Sequence, residues 1–184
     1  PRQPNRDTRN LLARTKPHLS FTEEEERSGQ AALRAIGIPE GAPFMCFHSR
    51  DSAYLDTMLP GKYGNMHDYR DSAISDYVPA AEEMVRRGYF ALRMGAVVKE
   101  PLGSAEPRVI DYAARYRTDF LDMYILAKCR FFLCSNSGVI AIPELFRRPS
   151  AFANFIPLEF APTWGAKDLF IPKKLWLGQE HRFM

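Results

Sequence analysis

An α/β domain built on a parallel sheet is the fold class this sequence predicts, and three observations predict it. Short, wholly apolar runs, Phe44–Phe47 the clearest, have the composition of strands buried on both faces. They alternate with amphipathic helical patterns, the succession that forms βαβ units with helices on both sides of the sheet. Several runs also end abruptly in polar residues, at the strand ends where such sheets bind ligands.

The elements follow in chain order. Pro1–Pro17 is polar, rich in Arg and Asn, with only Leu11–Ala13 apolar, so residues 1–19 read as a linker or docking arm. Ser20 or Thr22 starts a helix: Thr22 and Glu25 have the capping-box spacing, and Glu23–Glu26 complements the helix dipole. That helix runs to about Ala35 and ends at Gly37. Strand Phe44–Phe47 leads into a long polar loop from Ser49 to about Ser72. Tyr77–Arg87 places Val78, Ala81 and Val85 on one helical face, with Gly88 as its stop. Tyr89–Leu92 is the second strand and Val109–Ile110 a brief third. A helix over Phe120–Ala127 begins at Thr118 or Asp119. Arg130–Cys134 is the fourth strand, Val139–Phe146 a helix and Ala151–Ala153 the fifth strand.

Composition bounds the function. The 184 residues suffice for one domain with a full core. With 46% hydrophobic and 26% charged residues the chain is an ordinary globular protein, expected in the cytoplasm. No apolar run approaches the roughly 20 residues that span a bilayer. The net charge of +3 suits a small anionic ligand or the face of an anionic membrane. Nucleic acid is not an expected partner, because no dense Lys/Arg stripe with interleaved aromatics occurs. Cys46, Cys129 and Cys134 lie in apolar stretches and read as buried thiols without metal-ligand spacing. The chain opens on Pro1 and reads as a piece of a longer protein.

The chemistry concentrates at the strand ends. The first strand runs into His48-Ser49-Arg50-Asp51-Ser52, a polar run that packing explains poorly. Arg50 offers a rigid fork of donors for phosphate oxygens, and His48 a group that titrates near neutrality. The structural alternative is a satisfied core histidine and an Arg50–Asp51 pair. The fourth strand ends in Ser135-Asn136-Ser137-Gly138 followed at once by Val139 and a helix, a turn that can present free N–H groups to an anion. An ordinary N-cap is its alternative. The second strand ends in Arg93-Met94-Gly95, where Arg93 contacts a phosphate or pairs with Asp111. Asp111 and Tyr112 follow the third strand, where nucleotide-base contacts often fall. In the long loop, Asp68 is a candidate base, and Asp71 a helix cap. Trp164 stacks on a ring or anchors its loop. GxGxxG after the first strand, Walker A and GxSxG are all missing, which counts against an NAD fingerprint, a P-loop and a hydrolase elbow.

Five pieces occur in order: Phe47–Tyr54, Asp68–Asp71, Leu92–Gly95, Val109–Ala113 and Asp168–Trp176. Together they resemble a family of bacterial glycosyltransferases of surface-polysaccharide loci, over about Phe21–Trp176. The C-terminal half is also similar to the donor domain of GT-B enzymes such as heptosyltransferases, and the His-x-Arg strand end to fucosyltransferases. The resemblance implies a Rossmann-like domain over residues 20–184 that binds a nucleoside-diphosphate sugar. It implies no metal and no further cofactor, so Arg50 and the N–H groups of Ser137, Gly138 and Val139 would neutralise the departing diphosphate. Ser49, Arg93, Gly95, Asp111, Tyr112, Ser135 and Asn136 complete the expected donor contacts. His48, Asp51 and Asp68 are the candidates for a base acting on a glycan or lipid-linked acceptor. A separate N-terminal domain would carry that acceptor, at the cytoplasmic face of the inner membrane. A GT-B-like nucleotide-sugar epimerase or hydrolase, or a non-catalytic binding module, would share the same grip.

Overall fold

The computed structural model describes residues 7, 9–162 and 165–184. Six strands form one sheet: β1 (Phe44–His48), β2 (Phe90–Arg93), β3 (Val109–Ile110), β4 (Phe132–Cys134), β5 (Ser150–Phe155) and β6 (Leu169–Pro172). Their spatial order is β3-β2-β1-β4-β5-β6, and every pairing is parallel. This is the predicted α/β, Rossmann-like architecture, with the chain reversing its direction of winding between β1 and β4.

The helices are α1 (Leu11–Arg14), α2 (Glu23–Ala35), α3 (Ala53–Met58), α4 (Val78–Arg86), α5 (Tyr112–Arg115), α6 (Asp119–Lys128) and α7 (Ala141–Leu145). Strand β1 shows why both faces need cover. Phe44 and Cys46 enter one core with Leu121, Ile125 and Leu126 of α6, and α2 and α7 add partly buried apolar residues there. Met45 and Phe47 enter the opposite core with Ala81 and Val85 of α4. The three cysteines are free thiols, all buried.

Local chemistry sets the helix ends. Thr22 and Glu25 form the full capping box, with the Thr22 amide donating to Glu25 Oε2 at 2.7 Å. Thr118, not Asp119, caps α6, its Oγ1 accepting from the Leu121 amide at 3.2 Å. Gly37 and Gly88 stop α2 and α4 with φ of +100° and +91°, a conformation that suits glycine.

The structure departs from the sequence reading in several places. The loop after β1 contains α3, nucleated where Asp51 Oδ1 accepts the Ala53 amide at 2.9 Å, and a single 3-10 turn over Asp68–Arg70. The expected helix Val139–Phe146 divides into a 3-10 turn, Gly138–Ile140, and the five-residue α7. Pro143 has no N–H for the carbonyl of Val139, so the α-helical ladder cannot run continuously from there. A sixth strand and a terminal hairpin, β7 (Trp176–Leu177) with β8 (Arg182–Phe183), lie where no element was expected.

Candidate functional site

A cavity of about 390 Å³ opens at the carboxyl ends of β1, β2 and β4, across the point where the winding reverses. His48, Arg50 and Asp51 reach it from β1, Gly95 from β2, and Ser137, Gly138 and Val139 from β4. Arg70 enters from the 3-10 turn at Asp68–Arg70. The remaining wall is largely apolar, with Leu55, Met94, Val97, Leu126 and Ile142, and Tyr54 and Asp122 at its margin.

Arg50 is held by its backbone before its side chain does anything. Its amide donates to Ser135 Oγ at 2.8 Å, and its carbonyl accepts from the Ser72 amide at 3.0 Å. The guanidinium is 92% buried, donates through Nη1 to the His67 carbonyl at 2.9 Å and forms an ion pair with Asp71. Arg50 thus does not form the alternative pair with Asp51, and the expectation that Asp71 caps a helix is corrected, since its carboxylate pairs with Arg50. Nη2 of Arg50 and Nε of Arg70 are buried and have no hydrogen-bond partner among the described residues. Burial pushes the pKa of Arg50 down, and the neighbouring Arg70 charge pushes the same way. The pocket wall thus carries two arginines, each with a buried guanidinium nitrogen that has no hydrogen-bond partner among the described residues.

His48 stands beside them. Its Nδ1 lies 3.0 Å from the Met94 carbonyl, and burial is the main cause that pushes its pKa below the ordinary value. Asp51 accepts the Ala53 amide through Oδ1 and the Lys99 amide through Oδ2, at 2.9 and 3.1 Å. Gly95 adopts φ of +153°, and a Cβ there would meet Val98 Cγ1 at 2.9 Å. Around Gly138 a Cβ would meet nothing within 4 Å, so close approach of a ligand is open there. Ser137 Oγ is buried without a hydrogen-bond partner among the described residues.

Other expected contacts lie off the cavity wall. Arg93 is only 2% exposed, and its guanidinium serves the Glu100 carbonyl at 2.6 Å and Asp111 at 3.3 Å. Asp111 also accepts the amides of Leu102 and Ala114, which makes it the cap of α5. Tyr112 is fully buried, with its hydroxyl donating to Asp122 Oδ1 at 2.9 Å. Ser135 and Asn136 are buried supports, the latter donating to the Ile156 carbonyl at 2.9 Å. Ser49 is buried and Asp68 exposed, and neither lines the cavity. Trp164 lies outside the described residues.

Three residues that sequence reasoning missed complete the site. Arg70 sat in view, inside a recognised charged cluster, but nothing local distinguished it from Asp68. Asp122 reaches the cavity from α6, four residues before Leu126 on the same helical face. Lys173, after β6, donates to the carbonyls of Tyr69 and Asp71 at 3.0 and 2.7 Å and so pins the turn that carries Arg70. Among the described residues no group of three His, Cys, Asp or Glu side chains is placed to hold a metal ion. No helix among them is long and apolar enough to cross a membrane. Compared with family models, curated proteins and solved structures, the chain has no match.

Proposed function

We propose that this chain is the donor-binding domain of a glycosyltransferase, holding the diphosphate of a nucleoside-diphosphate sugar between Arg50, Arg70 and the Ser137–Gly138 turn. One observation carries the reading: two arginines, each with a buried guanidinium nitrogen unpartnered among the described residues, line one cavity at the carboxyl ends of parallel strands. Two arginines match two linked phosphates in charge and in fork geometry. The apolar wall from Met94 to Ile142 offers a face for a base or sugar ring, the usual balance of a small-molecule site.

In this reading the two arginines stabilise the diphosphate as it leaves, the task a metal ion performs in other phosphate chemistry. The acceptor, a glycan or a lipid-linked sugar, would be presented by a further domain at the cytoplasmic face of a membrane. Calorimetry against GDP, UDP, ADP, dTDP and CMP tests the proposal. At least one nucleoside diphosphate should bind, and Arg50→Ala or Arg70→Ala should weaken it by tenfold or more, about 1.4 kcal/mol. Failure of all four nucleoside diphosphates to bind, or indifference to Arg50→Ala, would sink it.

A further inference from the structure

We propose that His48 is the general base of this site, locked as the Nδ1–H tautomer so that Nε2 takes the proton of the attacking hydroxyl. The assignment rests on the donor-site reading above and goes beyond it by naming the group that activates the acceptor. Geometry sets the tautomer. A carbonyl oxygen only accepts hydrogen bonds, so the 3.0 Å contact with Met94 requires the proton to sit on Nδ1. Nε2 then carries the lone pair, has no hydrogen bond among the described residues, and belongs to a side chain on the cavity wall.

The rival carboxylates are otherwise engaged. Both oxygens of Asp51 already accept backbone amides, which ties that side chain to the chain turn it supports. Asp68 is exposed and off the cavity wall. Asp122 holds the Tyr112 hydroxyl with Oδ1 and Arg117 with Oδ2. Among the described cavity-lining His and Asp side chains, His48 is therefore the one with an acceptor atom that takes part in no hydrogen bond.

The step balances as follows. The acceptor oxygen forms a bond to the sugar's anomeric carbon while its proton passes to His48 Nε2. The bond from that carbon to the diphosphate oxygen breaks, and its electron pair leaves with the nucleoside diphosphate beside Arg50 and Arg70. The proton on His48 is then released to solvent. Burial favours the neutral base and outweighs the upward pull of the Met94 carbonyl and Asp51, with smaller downward pushes from Arg93 and Arg50. Arg70 and Asp122 are the other charged groups on the wall.

Two measurements on the full chain test this. Nitrogen-15 NMR of labelled histidine should show His48 as a neutral Nδ1–H imidazole at pH 7, titrating below its ordinary value. An Nε2–H or charged ring would overturn the proposal. His48→Asn keeps a donor for the Met94 carbonyl and removes Nε2. Hydrolysis of UDP-glucose, GDP-mannose, ADP-glucose or dTDP-glucose, with water as the attacking hydroxyl, should fall about a hundredfold or more in this variant. Its affinity for the matching nucleoside diphosphate should stay within threefold, and the wild-type rate should fall on acidification as the ring is protonated. Wild-type rates in His48→Asn, or donor binding with no hydrolysis by the wild type, overturn the base alone. Absence of all nucleoside-diphosphate binding removes the donor site, and the base with it.

Discussion

Arg50 and Arg93 stand at or just past the ends of neighbouring strands, and in sequence each is an arginine following an apolar run. Their surroundings separate them. Arg93 is buried against Asp111 and a carbonyl, whereas Arg50 lines the cavity and its buried Nη2 has no hydrogen-bond partner among the described residues. Breaking a buried pair by removing one partner leaves the other charge uncompensated. Arg93→Met should therefore cost about 3 kcal/mol of stability by urea unfolding, while the surviving folded protein binds nucleotide with unchanged affinity. Arg50→Met should show the reverse emphasis, with binding lost more than stability. Equal affinity losses in the two would put Arg93 back at the ligand.

The elements show which interactions are readable locally. A capping box needs only Thr22 and Glu25 at the right spacing, and the structure forms it as expected. Thr22→Ala should lower stability by about 1 kcal/mol, measured by thermal or urea unfolding. Gly29 is the contrary case. A mid-helix glycine reads as a defect to be improved, worth about 1 kcal/mol on replacement by Ala. In the folded chain it is buried under the Tyr124 ring, and an added Cβ would fall inside the ring's van der Waals surface. That ring is held in turn, since its hydroxyl donates to Glu26 Oε2 at 3.0 Å. Gly29→Ala should thus destabilise by about 1–3 kcal/mol despite its helix propensity. A stabilised variant would mean that α2 and α6 can part at little cost. The α3 helix was not legible, because it starts from a side-chain contact at Ala53, whereas the later start of α7 follows from Pro143, whose place near the helix start is visible in the sequence.

At the scale of the whole molecule, stability depends on how the fold shifts titrating groups. Burial first, then the Asp168 charge, push the Glu144 carboxyl up to about 7, and burial also raises Asp168. An acid with a raised folded-state pKa is stabilised in its neutral form. Its favourable contribution is complete below the unfolded value, near 4.5, and is lost as pH rises through about 7. His48 acts oppositely: its lowered pKa costs stability as pH falls below its unfolded value of 6.5. Above pH 6.5 the His48 effect is absent. Glu144→Gln should accordingly raise stability at pH 8 by on the order of 2 kcal/mol and change little at pH 5. Denaturant midpoints across that range measure it, and equal midpoints for both proteins at pH 8 would refute it.

By itself the sequence determined the class of fold and the neighbourhood of the site. Apolar runs alternating with helical patterns specify a parallel sheet, and polar residues at the ends of those runs specify which edge carries chemistry. Both signals are local, so His48, Arg50, Gly95 and Ser137–Val139 were all identifiable and all line one cavity. Tertiary structure decided which polar groups stay open. Arg93 and Asp111 find each other from β2 and the start of α5, while Arg70 and Asp122 reach the cavity from elements distant in the chain. Lys173, more than a hundred residues from the turn it pins, is the extreme case. Whether a buried donor is satisfied depends on every neighbour the fold supplies, and that information is not present in spacing along one chain.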